Sequence, residues 1–236
     1  MTRAELVFVL QAVQPLTTDP GAAASWPDCE MVVLADRAGS PFREDVLPLP
    51  HRVVQVPVAG WREAIVRQAA GRSFDVVTND EYALLACRLL RAEFGLAPRH
   101  PDGLIGYLDK VVMKQRLSEA GVDTPRYVAL EPVVAVDGTA EALVFELGLP
   151  MVAKPRQEAN SRGVVVLATV DEVHDWLRRR DGQSGWQVEE FVAGPQYHVN
   201  AVVCDGSVVP VQVGRYLGPL LELPQGRRLG WRDLVR

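Results

Sequence analysis

Cysteine is scarce in this chain of 236 residues: Cys29, Cys87 and Cys204 stand far apart, and no CxxC pair occurs. An odd number at such spacing argues against a disulfide framework and against a thiolate metal site. All three read as free, reduced thiols, which fits a cytoplasmic setting. The four histidines are dispersed, and the one near a motif, His198, reads as a strand residue rather than a ligand. Long apolar runs are missing as well. Leu6-Val7-Phe8-Val9-Leu10 is too short for a signal segment or a membrane span, with Glu5 directly before it. No basic run exceeds Arg178-Arg179-Arg180, and the net charge is −5, so nothing favours nucleic acid or an anionic membrane. Residues 11–15, after the first apolar run, contain no glycine. That counts against a dinucleotide fingerprint, and tight NAD binding would be needed to revive that reading. No internal repeat or low-complexity segment is evident.

What remains is ordinary for a globular chain of one to two domains: 48% hydrophobic and 23% charged residues. Up to about residue 105 the pattern alternates strand and helix. Strands are predicted at Leu6–Leu10, Met31–Asp36, Val53–Val58 and Phe74–Thr78. The stretch from Gln14 to Asp28 reads as a loop. A short helix is predicted over Trp61–Ala70, and another follows Asn79-Asp80, with Tyr82, Leu85, Leu89 and Leu90 on its apolar face and Gly95 closing it. This alternation predicts an α/β fold with a parallel sheet covered on both faces, whose ligands lie beyond the carboxyl ends of the strands. Asp36 and Asn79-Asp80-Glu81 fall there, although simple helix capping explains Asn79 and Asp80 equally well.

Asp109 to Ala120 reads as a helix capped by Asp109, with Val112, Met113, Leu117 and Ala120 as its apolar face. A smaller α+β module follows. Arg126–Leu130 is a strand, and Thr139–Leu147 a helix ended by Gly148. Thr169 to Glu172 is a capping-box pattern opening a helix with Val173, Trp176 and Leu177. Gln187–Val192 and Tyr197–Val203 are strands, and Asp205-Gly206 turns the chain back along Val208–Val213.

The segment from Leu149 to Val166 carries the most chemistry. Met151-Val152-Ala153 leads to Lys154, and Pro155, which has no N–H, is expected to stop the ladder. A polar loop runs to Arg162, Gly163 ends it, and Val164 to Leu167 is a β-branched strand. A lysine at a strand end facing a loop of exposed N–H groups suits a polyphosphate: it supplies a point charge while the amides form an anion nest. A plain hairpin with a surface lysine has the same pattern.

Two further blocks decide between these readings. One runs from Leu108-Asp109-Lys110 to Thr124-Pro125, and the other is Trp186-Gln187-Val188-Glu189-Glu190-Phe191-Val192-Ala193-Gly194. In this order, with the Lys154 hairpin between them, the blocks resemble the ATP-grasp superfamily over roughly residues 74–216. The resemblance implies a pre-ATP-grasp α/β domain at 1–108, a linking helix at 109–125, a small lid subdomain at 126–213, and at 214–236 the start of a third, metal-binding subdomain that is otherwise missing. It implies that ATP contacts Lys110 and Lys154 through its phosphates, with Lys114, one turn on, as a rival for Lys110. Ser161, Gly163 and neighbouring amides would fold over the phosphates. Glu190 would offer a carbonyl and Val192 an amide to adenine, beside Phe191, and Glu189 would meet the adenine N6 or a lysine. Gln196 stands where the family commonly has an acid for the ribose hydroxyls. Glu81 is a candidate contact to the acceptor substrate.

Such a protein activates a small-molecule carboxylate as an acyl phosphate for attack by an amine or thiol, with Mg²⁺ on the ATP. The sequence departs from the family in two respects. The loop holds Glu158, Ala159 and Asn160 where glycines are usual, and Glu158 adds negative charge. No pair of carboxylates at Mg²⁺ spacing is found, Glu222 and Asp233 being isolated. The alternative reading is therefore a non-catalytic nucleotide-binding module, or a half-site completed by a partner chain or a second copy.

Overall fold

The computed structural model describes residues 4–13, 29–36, 51–98, 103–159, 161–204, 206–218 and 231–235. Gln14 to Asp28, Asn160, Asp205 and Glu222 lie outside these. The chain divides into two units, Met1–Leu104 and Ile105–Arg236.

The first unit is built on a parallel sheet of β1 (Leu6–Gln11), β2 (Glu30–Ala35), β3 (His51–Gln55) and β4 (Phe74–Val77), in the order β3-β2-β1-β4. The near-continuous apolar runs in β1 and β2 follow from burial on both faces. Leu6, Phe8 and Leu10 join Val32, Leu34, Val76, Trp61 and Ile65 on one face, while Val9, Met31 and Val33 cluster on the other. Helix α1 (Trp61–Ala69) supplies Trp61, Ala64 and Ile65 to the first face at helical spacing. The third strand lies two to three residues earlier than its valines suggested.

After β4 the chain makes a 3-10 turn at Glu81–Ala83 and then helix α2 (Leu84–Glu93). The turn shifts the phase of the helix. Ala83, Cys87 and Leu90 face the core, whereas Leu85 and Leu89, expected on the apolar face, are 47% and 61% exposed. Asp80 is fully buried. Its Oδ1 accepts the Tyr82 N–H at 3.0 Å and its Oδ2 accepts those of Ala12 and Val13 at 2.7 and 2.6 Å, so it caps the turn and also pins the end of β1. Asn79 accepts from the Gln11 amide at 2.8 Å. Asp80 thus caps as read, whereas Asn79 meets the Gln11 side chain of β1.

In the second unit, α3 (Ile105–Leu108) leads into α4 (Lys110–Glu119). An antiparallel sheet follows, β5 (Tyr127–Leu130), β6 (Met151–Pro155), β7 (Val165–Leu167) and β8 (Trp186–Glu190), in the order β5-β8-β6-β7. Alternation gives it two unlike faces. Met151, Ala153, Trp186 and Val188 point into a core with α5 (Thr139–Leu147) and α6 (Val170–Arg180), where Trp176 and Trp186 meet edge to face at 5.4 Å. Each such tryptophan contributes on the order of 4–6 kcal/mol of transfer free energy before entropy is counted. The other face carries Tyr127, Val152, Lys154, Gln187 and Glu189. The Thr169–Glu172 capping box forms, each partner at 3.2 Å. A second antiparallel sheet is made by β9 (Tyr197–Cys204), β10 (Ser207–Tyr216) and β11 (Trp231–Val235).

Two local expectations change. Pro155 does not stop the ladder but is the last residue of β6, opposite Trp186. It is tolerated because β7 has already left: the last β6–β7 pair is Ala153 with Val165, so one side of the strand is open there. The buried residues of α4 are Val111 and Lys114, while Met113 and Ala120 are exposed and Val112 and Leu117 only half-buried.

Candidate functional site

The polar face of the β5–β8 sheet becomes one wall of a cavity of about 770 Å³, a size ordinary for a small-molecule site. Period-two alternation aims Val152 and Lys154 from β6 into it, and Glu189 from β8, which pairs with Val152 in register. Past Glu190 the strand ends, and residues 191–196 run along the wall without a ladder partner of their own. Val164 and Val166 approach from β7 and its entry, and Glu158, Ala159, Ser161 and Arg162 from the β6–β7 loop. Valines, Phe191 and Pro125 make one part apolar, and two lysines, Ser161 and Gln196 make another polar.

Of the residues singled out in the sequence, this cavity brings together Lys110, Lys154, Ser161, Glu189, Glu190, Phe191, Val192 and Gln196. Two are not in it. Gly163 sits behind the wall with φ at +72°, and a Cβ there would lie 2.9 Å from Pro155 Cγ. Its requirement is close packing of the loop on β6 rather than approach to a ligand. Glu81 is exposed in the 3-10 turn of the first unit.

The loop is tied down from α4. Asp109 caps that helix as expected, accepting the Val111 and Val112 amides at 2.9 and 3.2 Å. It also pairs with Arg156 at 2.8 Å and accepts from Gln157 at 3.1 Å. Burial alone would push its carboxyl up, but the hydrogen bonds from Arg156, Gln157 and the two helix amides outweigh it and hold it below the ordinary value of 3.8. Arg156 reaches further, to Glu131 at 2.6 Å. The Lys110 amide donates to the Arg156 carbonyl at 3.0 Å, and its ammonium donates to the carbonyls of Arg156 and Glu158. The Glu158 carboxylate lies 3.8 Å from Arg162, whose side chain is 61% exposed, so the charge that departs from the family pattern is only weakly screened inside the loop.

Lys154 pairs with Glu189, and so does Lys114, the rival set aside in favour of Lys110. Lys114 is 4% exposed and its ammonium lies 4.7 Å from the centre of the Tyr127 ring. Burial lowers its ammonium below the usual lysine range, against the opposing pull of Glu189. Glu190 turns away from Glu189: the Arg126 amide and guanidinium, at 2.9 and 2.8 Å, hold its carboxyl below the usual range. Among the described residues no cluster of three or more His, Cys, Asp or Glu side chains is placed to hold a metal ion. No described helix is long and apolar enough to cross a membrane.

No family model matches the chain. A D-alanine–D-alanine ligase from Ectopseudomonas mendocina is 33% identical over 104 residues, which is 44% of this chain and 31% of that protein. The L-amino acid ligase of Bacillus licheniformis superposes with a TM-score of 0.66 at 20% identity, covering 94% of this chain and 54% of its own. An N5-carboxyaminoimidazole synthetase of Staphylococcus aureus, solved with ADP, gives 0.66 at 15% identity, covering 92% and 56%. The chain thus spans about a third of the curated relative and about half of each solved structure. Its mixed fold, a parallel four-stranded sheet followed by antiparallel sheets, is that of these ligases. Relatives and fold neighbours together support the ATP-grasp superfamily.

Proposed function

We propose that this chain is the nucleotide-binding part of an ATP-grasp ligase that activates a small-molecule carboxylate as an acyl phosphate for attack by an amine. The observation that carries the reading is the single cavity that gathers both motif lysines, Ser161, the Glu189–Val192 segment and Gln196. Adenine would lie against Val152, Val166 and Phe191, where apolar surface leaves water. Its N6 amino group needs an acceptor and its N1 a donor, which the Glu190 carbonyl and the Val192 amide offer whatever their side chains. Gln196 would hydrogen-bond the ribose hydroxyls, less strongly than a carboxylate.

The phosphates would lie towards Lys154 and Lys110. Positive charge in a partly dry cleft offsets polyphosphate repulsion and stabilises charge developing on the bridging oxygen as the γ-phosphoryl leaves. The Lys110 ammonium would exchange a loop carbonyl for a phosphate oxygen, and Ser161 would donate its hydroxyl. When bound, Mg²⁺ supplies further charge neutralisation on the phosphates; its ligands are not assigned to the described residues.

Calorimetric titration of the 236-residue chain with ADP tests the site. Lys154→Ala is expected to weaken ADP binding about tenfold or more, the effect of losing one partly buried point charge. A variant that binds ADP as tightly as the parent would remove Lys154 from the site. Phosphate release that requires ATP, a carboxylic acid and an amine together tests the ligase assignment.

A further inference from the structure

A lysine buried to 4% exposure, on a helix, with its ammonium inside the protein, is costly unless something compensates it. Lys114 has two compensations, both from the pocket-bearing face of the sheet. Its ammonium meets Glu189 Oε2 and lies over the Tyr127 ring. The Gln187 side chain donates to the same carboxylate oxygen at 3.3 Å and steadies Glu189. The other oxygen, Oε1, takes the Lys154 ammonium. Lys154 and Glu189 line the cavity and Lys114 does not. The three side chains therefore form a row running from the interior to the wall: cation, anion, cation. Side-chain exposure rises along it from 5% at Lys114 through 10% at Glu189 to 20% at Lys154.

The formal charges decide what the row does. Glu189 and Lys154 alone would cancel, and a wall made of that pair would present no net charge to an anion. Adding Lys114 restores a net +1 behind the wall. It also satisfies one carboxylate oxygen, so that Glu189 does not need Lys154 to be neutral. Lys154 can then turn to a ligand without leaving a bare carboxylate buried beside it. In a medium less polarisable than water a unit charge acts over several ångströms, so Lys114 need not touch the ligand.

We infer that Lys114 is a positioning residue that, through Glu189, frees and charges Lys154, and so sets the preference of this cavity for phosphorylated over unphosphorylated nucleosides. The inference rests on the nucleotide reading above and adds a residue to it that does not line the cavity.

The test compares the dissociation constants of adenosine and ADP for the 236-residue chain by calorimetry, at low and at physiological salt. Their ratio, adenosine over ADP, reports the phosphate contribution alone, because damage to the adenine end changes both ligands alike. In Lys114→Met the row sums to zero, and the ratio is expected to fall about tenfold with adenosine binding unchanged. Glu189→Gln raises the sum to +2, and the ratio is expected to rise. The double variant Lys114→Met with Glu189→Gln leaves +1 and no buried bare carboxylate, and its ratio is expected to return to within about threefold of the parent, a difference of about 0.7 kcal/mol. A Lys114→Met protein with the parent ratio, or one that loses adenosine and ADP equally, overturns the inference. If Lys114→Met does not fold, a ratio in Glu189→Gln equal to or below the parent's overturns it. A parent chain that prefers ADP while all variants keep its ratio sinks only this inference. A parent that binds neither ligand sinks the nucleotide reading and this inference with it.

Discussion

Replacing Asp80 with alanine gives a direct test of how the first unit holds itself together. Asp80 has no exposed surface, and its two oxygens accept three backbone N–H groups. Two of these, from Ala12 and Val13, are the donors left over where β1 ends. The third, from Tyr82, is the second amide of the 3-10 turn that follows β4. Alanine removes both acceptor oxygens and leaves three donors without them, one on Ala12, a residue only 8% exposed. A hydrogen bond to a charged acceptor is worth roughly 1.5–3 kcal/mol, and a cap about 1 kcal/mol. Because one carboxylate serves all three, the sum is not additive, and a total on the order of 3–4 kcal/mol is reasonable. Each 1.4 kcal/mol or so is a factor of ten, so amide hydrogen-exchange protection in β1 and β4 should fall by roughly two to three orders of magnitude. Asp80→Asn should fall less. The single amide oxygen can keep the Ala12 and Val13 donors, but its NH₂ then opposes the Tyr82 N–H. Asn79→Ala, which loses only the Gln11 contact, should cost about 1 kcal/mol. Protection of the Phe8, Val9 and Val76 amides in Asp80→Ala within threefold of the parent would refute the assignment of Asp80 as the tie between β1 and the turn.

Gly163→Ala combines a left-handed backbone with a Cβ 2.9 Å from Pro155 Cγ, and should destabilise the β6–β7 hairpin by on the order of 1–3 kcal/mol. Unchanged exchange rates at the amides of Ala153 and Val165 would show that the packing is not needed. Asp109 has a folded-state pKa below its ordinary 3.8, so its contribution is complete above that value and is lost as the pH falls through the lower one. Asp109→Asn should therefore be less stable than the parent at pH 7 and lose less on acidification below about pH 4; equal losses in thermal melts at pH 7 and pH 3 would argue against the Arg156 contact.

The local parts of this molecule were legible in the sequence. The Asp109 cap, the Thr169–Glu172 box, the stop at Gly148 and the strand alternation from Met151 to Lys154 depend on neighbours within four residues, and each forms as read. The phase of α2 was not legible. Its leucines at 85 and 89, four apart, fit a helical repeat as well as Cys87 and Leu90, three apart, and only the 3-10 turn at Glu81–Ala83 rotates the first pair outward. The role of Lys114 is illegible for the same kind of reason. A lysine on a helix reads as solvated unless its partner is visible, and its partner is 75 residues away on another strand. One signal did exist: Lys110 and Lys114 are one turn apart on a helix whose motif resembles a phosphate-binding one, and two lysines so close repel unless an acid intervenes. Glu189-Glu190 is the one acidic pair within the matched blocks, and antiparallel pairing with β6 places Glu189 within reach of Lys154 as well.

The same reasoning accounts for the loop that departs from the family pattern. A glycine-rich loop approaches a phosphate by having no side chains in the way. Here the loop is held to α4 in two ways: the main-chain carbonyls of Arg156 and Glu158 accept from Lys110, and the Arg156 and Gln157 side chains donate to Asp109. The contacts beyond residue 157, where the pattern departs, are main-chain and do not depend on which side chain stands at 158. The added acid at Glu158 lies 3.8 Å from the exposed Arg162 within the loop itself, which screens it only weakly. Its carboxylate counts against a phosphate together with the charges of Lys110 and of the row that ends at Lys154. Loop composition alone is therefore a poor guide to whether this cavity accepts an anion. The charge sum of the buried row behind it is the better one, because burial makes each of those charges count for more than an exposed residue in the loop.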